Sequence, residues 1–204
     1  MSGGPITPDD VLSPGEVAAL GGRVVVLVPG SVLVGRSVEL GDGVVLYPGA
    51  VLQTDAASSI RVGAGTVVYP GAFVSATRGG RVTIGAGVEL GPGGVQVTAD
   101  GPTAHVDVGD RARLMNGPEL VGASVVGAGA QIIGPIRAQS VHLGAGGDHR
   151  EPDPDLRGGV LKGVGLARGI RVGRGEVVNG LGSFADAPVE RQRAYHPDAP
   201  VAGG

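Results

Sequence analysis

Residues 108–132 read VGDRAR LMNGPE LVGASV VGAGAQ I, with Val108, Leu114, Leu120, Val126 and Ile132 each leading a block of six. An aliphatic side chain at every sixth position matches neither the 3.6-residue period of a helix nor the simple alternation of a long half-buried strand. It matches a short strand followed by a tight turn, repeated. Three such blocks close a triangular coil of 18 residues, in which the leaders point inward and stack on those of the coils above and below. Glycine suits the turns, where a positive φ or a close neighbouring coil makes a Cβ costly. Adjacent coils then hydrogen-bond as parallel strands about 4.8 Å apart.

Toward the N-terminus the same unit recurs at a longer interval. Leu40-Gly41-Asp42-Gly43, Val62-Gly63-Ala64-Gly65 and Ile84-Gly85-Ala86-Gly87 follow one another at 22 residues. We read this as a coil of 18 plus a four-residue excursion, near 57–60 and 76–80. A spacing of 22 also suits the larger coils of a right-handed β-helix, but the unbroken hexads from Val108 decide for the three-sided form. Tyr47-Pro48 and Tyr69-Pro70 then fall in adjacent coils and predict a structural ladder on one corner. Ser13-Pro14-Gly15-Glu16 supplies a capping serine, proline at the first helical position and a glutamate three places on. A short helix through Leu20, stopped by Gly21, is predicted to cover the first coil, as terminal repeats require.

The predicted organisation is an all-β chain of about six or seven coils: an N-terminal cap with a short helix over 1–33, a β-helix over 34–182 with one long loop at 146–168, and an extended C-terminal tail over 183–204. The tail, with Pro188, Pro197, Pro200 and the run Glu190-Arg191-Gln192-Arg193, is expected to lie on the β-helix or on a neighbouring subunit.

Composition agrees. The 204 residues include 41 glycines but only two Phe, three Tyr and no Trp, as a narrow aliphatic interior demands. With 42% hydrophobic and 17% charged residues the chain collapses rather than staying disordered, and the Gly period of collagen is absent. A net charge of −3 gives no footprint for nucleic acid. Zero cysteines exclude disulfides and thiolate chemistry. No aliphatic run is long enough to span a membrane. The start, Met1-Ser2-Gly3-Gly4-Pro5, lacks the features of a secretory leader, and a cytoplasmic location is expected.

A coil of this kind is rigid, so chemistry is expected where it is interrupted. The loop holds Asp148-His149-Arg150-Glu151-Pro152-Asp153-Pro154-Asp155, then Arg157 and the sole lysine, Lys162. It reads either as a proline-stiffened solvated loop or as the rim of a substrate cleft. Four histidines exist: His105, His142, His149 and His196. His105 and His142 lie 37 residues apart, near two coils, and so are expected on one face about 10 Å apart along the axis. With His149 seven residues beyond His142, three imidazoles are expected around one region, most closely where subunits face each other.

The hexads over roughly 34–141 and 170–178 resemble the hexapeptide-repeat family, whose fold is the left-handed parallel β-helix. That resemblance implies a homotrimeric acyltransferase with acyl-coenzyme A as cosubstrate and a small polar acceptor, bound in a cleft between subunits. It implies a histidine general base, His142 first and His149 second, with Asp148 or Glu151 orienting the imidazole and Lys162 with Arg168 meeting an anion. Imidazole suits the role because its pKa lies near working pH. Leu143-Gly144-Ala145-Gly146, the polar loop, the lysine and Val172-Gly173-Arg174-Gly175 are similar to the acyltransferase half of N-acetylglucosamine-1-phosphate uridylyltransferases. That family's histidine falls about one coil earlier, where this chain reads Glu119-Leu120-Val121-Gly122-Ala123-Ser124. Two other classes stand beside transfer. One is a lyase resembling gamma-class carbonic anhydrases, with zinc on His105, His142 and His149 polarising water. The other is a non-catalytic β-helical binding or assembly module, which leaves the charge between Asp148 and Lys162 without an explanation.

Overall fold

The computed structural model describes residues 6–200, so the leader reading on 1–5 and the last four residues of the tail fall outside the described residues. Successive parallel rungs build three faces. The first carries Val25–Val26, Val45–Leu46, Val67–Val68, Glu89–Leu90, Arg113–Met115 and Gln131–Ile133. The second carries Leu33–Val34, Val51–Thr54, Ala72–Thr77, Val95–Asp100, Glu119–Val121 and Ile136–Gln139. The third is a seven-stranded sheet running from Val38–Leu40 to Arg171–Val172. The strand Val160–Arg168 continues the first face through 160–162 and the second through 165–168, and so joins the two into one sheet. The fold is a three-sided parallel β-solenoid, consistent with a left-handed β-helix.

The hexads account for the interior. Val108, Leu114, Leu120, Val126 and Ile132 are each at most 2% exposed. In the unextended coils the register step is 18 residues, as from Arg113 to Gln131, and in the extended ones it is 22, as from Val45 to Val67. The extra residues leave the coil between the second and third faces, at the two places read from the spacing. A third excursion follows between Val95–Asp100 and His105–Val108. The excursions bond to one another: Asp55 accepts from the backbone N–H of Ala57 and Arg78, and Arg78 pairs with Asp100. The tyrosine ladder is present, with the Tyr47 and Tyr69 rings stacked 5.2 Å apart at 15°.

The ends are closed by different means. Ser13 caps the helix Pro14–Ala19, its Oγ accepting from the Glu16 N–H at 3.3 Å while Glu16 Oε2 accepts from the Ser13 N–H at 2.8 Å. Arg36 grips the same carboxylate at 2.8 and 3.1 Å, and this pair with the cap bonds holds the Glu16 pKa down at about 2. Val17 is fully buried against the first coil. At the other end Phe184 is buried, and the tail strand Val189–Arg191 turns back to pair antiparallel with residues 176–178. The tail therefore lies on its own β-helix.

Two boundaries differ from the sequence reading. The first rung is Val25–Val26, inside the region assigned to the cap, because Val25 and Val26 already pair with Val45 and Leu46. The loop ends at 159 rather than 168, because Val160–Arg168 is a strand of the solenoid. Here the chain passes from one face to the next without leaving strand geometry. Gly163 makes this possible: its φ is +123°, and a Cβ there would collide with the Gly180 carbonyl oxygen of the next rung.

Candidate functional site

The outward positions of the last coils on the first face form two columns. Gln131, Val160 and Val177 are in register in one, and Ile133, Lys162 and Asn179 in the other. The loop stands beside them, bringing His149 and Arg157, and the tail folds over from the opposite side with Gln192, Tyr195 and His196. Together they enclose a cleft of about 260 Å³. Its floor is aliphatic, from Ile133, Val160 and Val177, and its walls are polar.

The walls are held by ion pairs between loop and tail. Arg193 pairs with Asp153 and, at 2.6 Å, with Asp155, while Arg191 reaches Asp155 at 3.0 Å. Arg193, ahead of Arg191, keeps the Asp155 carboxyl below its ordinary pKa. Buried Gln192 donates to the carbonyls of Gly158 at 2.7 Å and Glu176 at 3.1 Å, stitching the tail to loop and coil at once. The concentration of charge in the loop is thus explained by the arginines of the tail. Arg193→Ala removes the cation shared by Asp153 and Asp155. The tail is then expected to detach, read as at least about tenfold faster chymotryptic cleavage after Tyr195 in native buffer, through a local opening rather than global unfolding.

His149 is the distinctive group. Its Nδ1 is buried without a hydrogen-bond partner. Burial, reinforced by the Arg113 and Arg150 charges, lowers its pKa below 6.5, so the imidazole is neutral at pH 7. Asp148 and Glu151, expected to orient an imidazole, do other work. Asp148 accepts from the Arg150 N–H at 2.8 Å and faces Arg111 at 3.6 Å, and Glu151 accepts from the Asp153 N–H at 3.3 Å.

The remaining candidates are dispersed. His142 and His105 lie on the third face, both exposed and outward. His142 is in register with Asp107 two rungs away, which sets it about 12 Å from His105. His149 belongs to the first face, so the three imidazoles do not gather within one chain. Among the described residues no three His, Cys, Asp or Glu side chains form a metal-holding group. Lys162 lines the cleft, whereas Arg168 sits six residues along the same strand, on the second face beside Gln139. The two cations are about 20 Å apart and do not share one anion.

Sequence reasoning passed over Tyr195 and Gln192 and ranked His196 last. The one signal for them was the match between the tail's arginines and the loop's aspartates. No protein-family model matches this sequence, and no curated protein matches it. Among the described residues no helix is long and apolar enough to cross a membrane.

Proposed function

We propose that this chain is a hexapeptide-repeat acyltransferase whose reaction takes place in the cleft of the first face, with His149 rather than His142 as general base. The observation that carries this reading is a neutral, desolvated imidazole at the wall of a pocket beside the only lysine. His149 takes the proton from an acceptor hydroxyl or amine as that atom attacks the thioester carbonyl of acyl-coenzyme A. The carbon–sulfur bond breaks, and the imidazolium returns its proton to the departing thiolate. Lys162 meets negative charge at the mouth. Arg150, Arg168 and Arg171, each exposed and without a carboxylate partner among the described residues, are the cations suited to the donor's phosphates.

A homotrimer in the cytoplasm belongs to this reading. Its support is the first face itself, where Val25 and Leu27 are about half exposed and Val45, Tyr47, Val67 and Tyr69 continue the outward columns. A zinc lyase on His105, His142 and His149 would need the missing ligand from another subunit, because one chain divides them between two faces. A binding module is the second reading, favoured because loop charge is already explained by the tail. Acetyl- and succinyl-coenzyme A decide between transfer and binding. Transfer predicts a rise in melting temperature with either donor and thiol release that depends on an added amine or hydroxyl acceptor. No stabilisation and no thiol release overturns it.

A further inference from the structure

Charge around the cleft is unbalanced. Lys162 is exposed and makes no ion pair among the described residues, and Arg157 directs its Nε to the Glu151 carbonyl oxygen at 2.6 Å rather than to a carboxylate. His196 stands on the tail side. No carboxylate lines the space. The acids nearby already have partners: Asp155 with Arg191 and Arg193, Asp148 with Arg111, Glu89 with Arg113, and Glu190 with the Tyr195 hydroxyl. Unanswered charge at the mouth is therefore positive, whereas the floor of Ile133, Val160 and Val177 offers only methyl groups.

Size narrows the ligand further. A cleft of about 260 Å³ is smaller than the roughly 300–1,000 Å³ usual for drug-sized ligands. A single lysine with one half-engaged arginine suits one negative charge better than the two of a phosphate dianion. A carboxylate held by Lys162 would direct a short branched hydrocarbon onto the valine floor, where each buried methylene contributes about 0.8 kcal/mol.

We propose that this cleft binds a small organic monocarboxylate with a branched aliphatic body, the carboxylate at Lys162 and the hydrocarbon on Ile133, Val160 and Val177. The inference rests on the cleft being the working site and makes the acceptor class a hydroxy or amino acid of that shape.

Calorimetric titration of the full chain tests it with four probes: sodium isovalerate, isoamylamine, 3-methyl-1-butanol and inorganic phosphate. Isovalerate is expected to bind at least about tenfold more tightly than each of the others, as a charge-assisted hydrogen bond implies. Lys162→Met should weaken it about tenfold or more, and Lys162→Arg should keep affinity within about threefold. Lys162 is exposed, so both variants should melt as the parent does. Equal or tighter binding of the amine, the alcohol or phosphate overturns the proposal, as does an unaffected Lys162→Met variant or no binding of isovalerate by the parent chain. No thioester is present in this assay. A chain that binds isovalerate but transfers no acyl group would fail the proposed activity alone, and one that transfers to other acceptors but ignores isovalerate would fail the carboxylate proposal alone.

Discussion

Phe184→Ala is expected to lower the stability of the chain by about 3–5 kcal/mol, the cost of removing a large aromatic from a packed interior. Phe184 is one of only two phenylalanines and is 1% exposed. It lies at the point where the coils stop. Its backbone N–H donates to the Leu166 carbonyl at 3.0 Å, and its ring packs so closely on Gly180 that a Cβ there would meet ring carbons at 2.8 Å. A narrow aliphatic prism has no further rung to cover its last coil, and this ring takes that place. Because each coil contacts mainly its neighbours, opening should begin at the C-terminal end. Urea denaturation of the variant should shift to lower concentration, and amide exchange should rise first over 176–183. A stability within about 1 kcal/mol of the parent would show that the end is closed by something other than this ring.

The glycine at 180 also shows why the end of the solenoid was hard to read. Hexads were legible wherever a strongly aliphatic leader met a Gly-x-Gly turn, because each six-residue side of the prism admits one inward side chain. Leu161 and Ala167 are fully buried and six residues apart, so the phase persists through the stretch taken for loop. It was masked because the second leader is only an alanine, and because Gly163 and Gly165 lie within a strand rather than at a turn. The excursions were legible for the opposite reason, since four added residues per coil are visible as a spacing. The N-terminal helix was legible because its cap is a local sequence signal.

The candidate site had no such signal. Its floor comes from 131–133 and 160–162, one wall from 149–157 and the other from 192–196, and no period links them. Gln131 and Ile133 flank a leader and so were readable as outward, but what covers them depends on where the tail folds. The same gap explains the choice of His142. Counting residues placed it correctly in the coil, on a face where nothing encloses it. His149, in the irregular segment, acquired burial and neighbouring arginines that only the folded loop provides. Charge density in a loop was likewise ambiguous from sequence, since Asp153 and Asp155 serve to hold Arg193.

His149→Ala is expected to reduce acyl-transfer turnover by about 10²–10⁴-fold, the usual contribution of a positioned general base, with little loss of fold because the ring is only partly buried. His142→Ala should stay within about twofold, since that imidazole lies exposed on another face and touches nothing in the cleft. The pH dependence gives an independent check. Burial and the Arg113 and Arg150 charges depress the His149 pKa, so the neutral form predominates above 6.5 and kcat/KM should fall only as pH drops through a value lower than that. Stability follows the same sign. Folded chain binds this proton less readily than unfolded chain, so the stability present above the unfolded pKa is lost as pH falls through the depressed folded one. In the His149→Gln variant the acid limb of the rate should vanish while the amide preserves the volume. An acid limb that persists unchanged in that variant, or a His142→Ala loss matching that of His149→Ala, would move the base off the first face and return the cleft to a purely binding role.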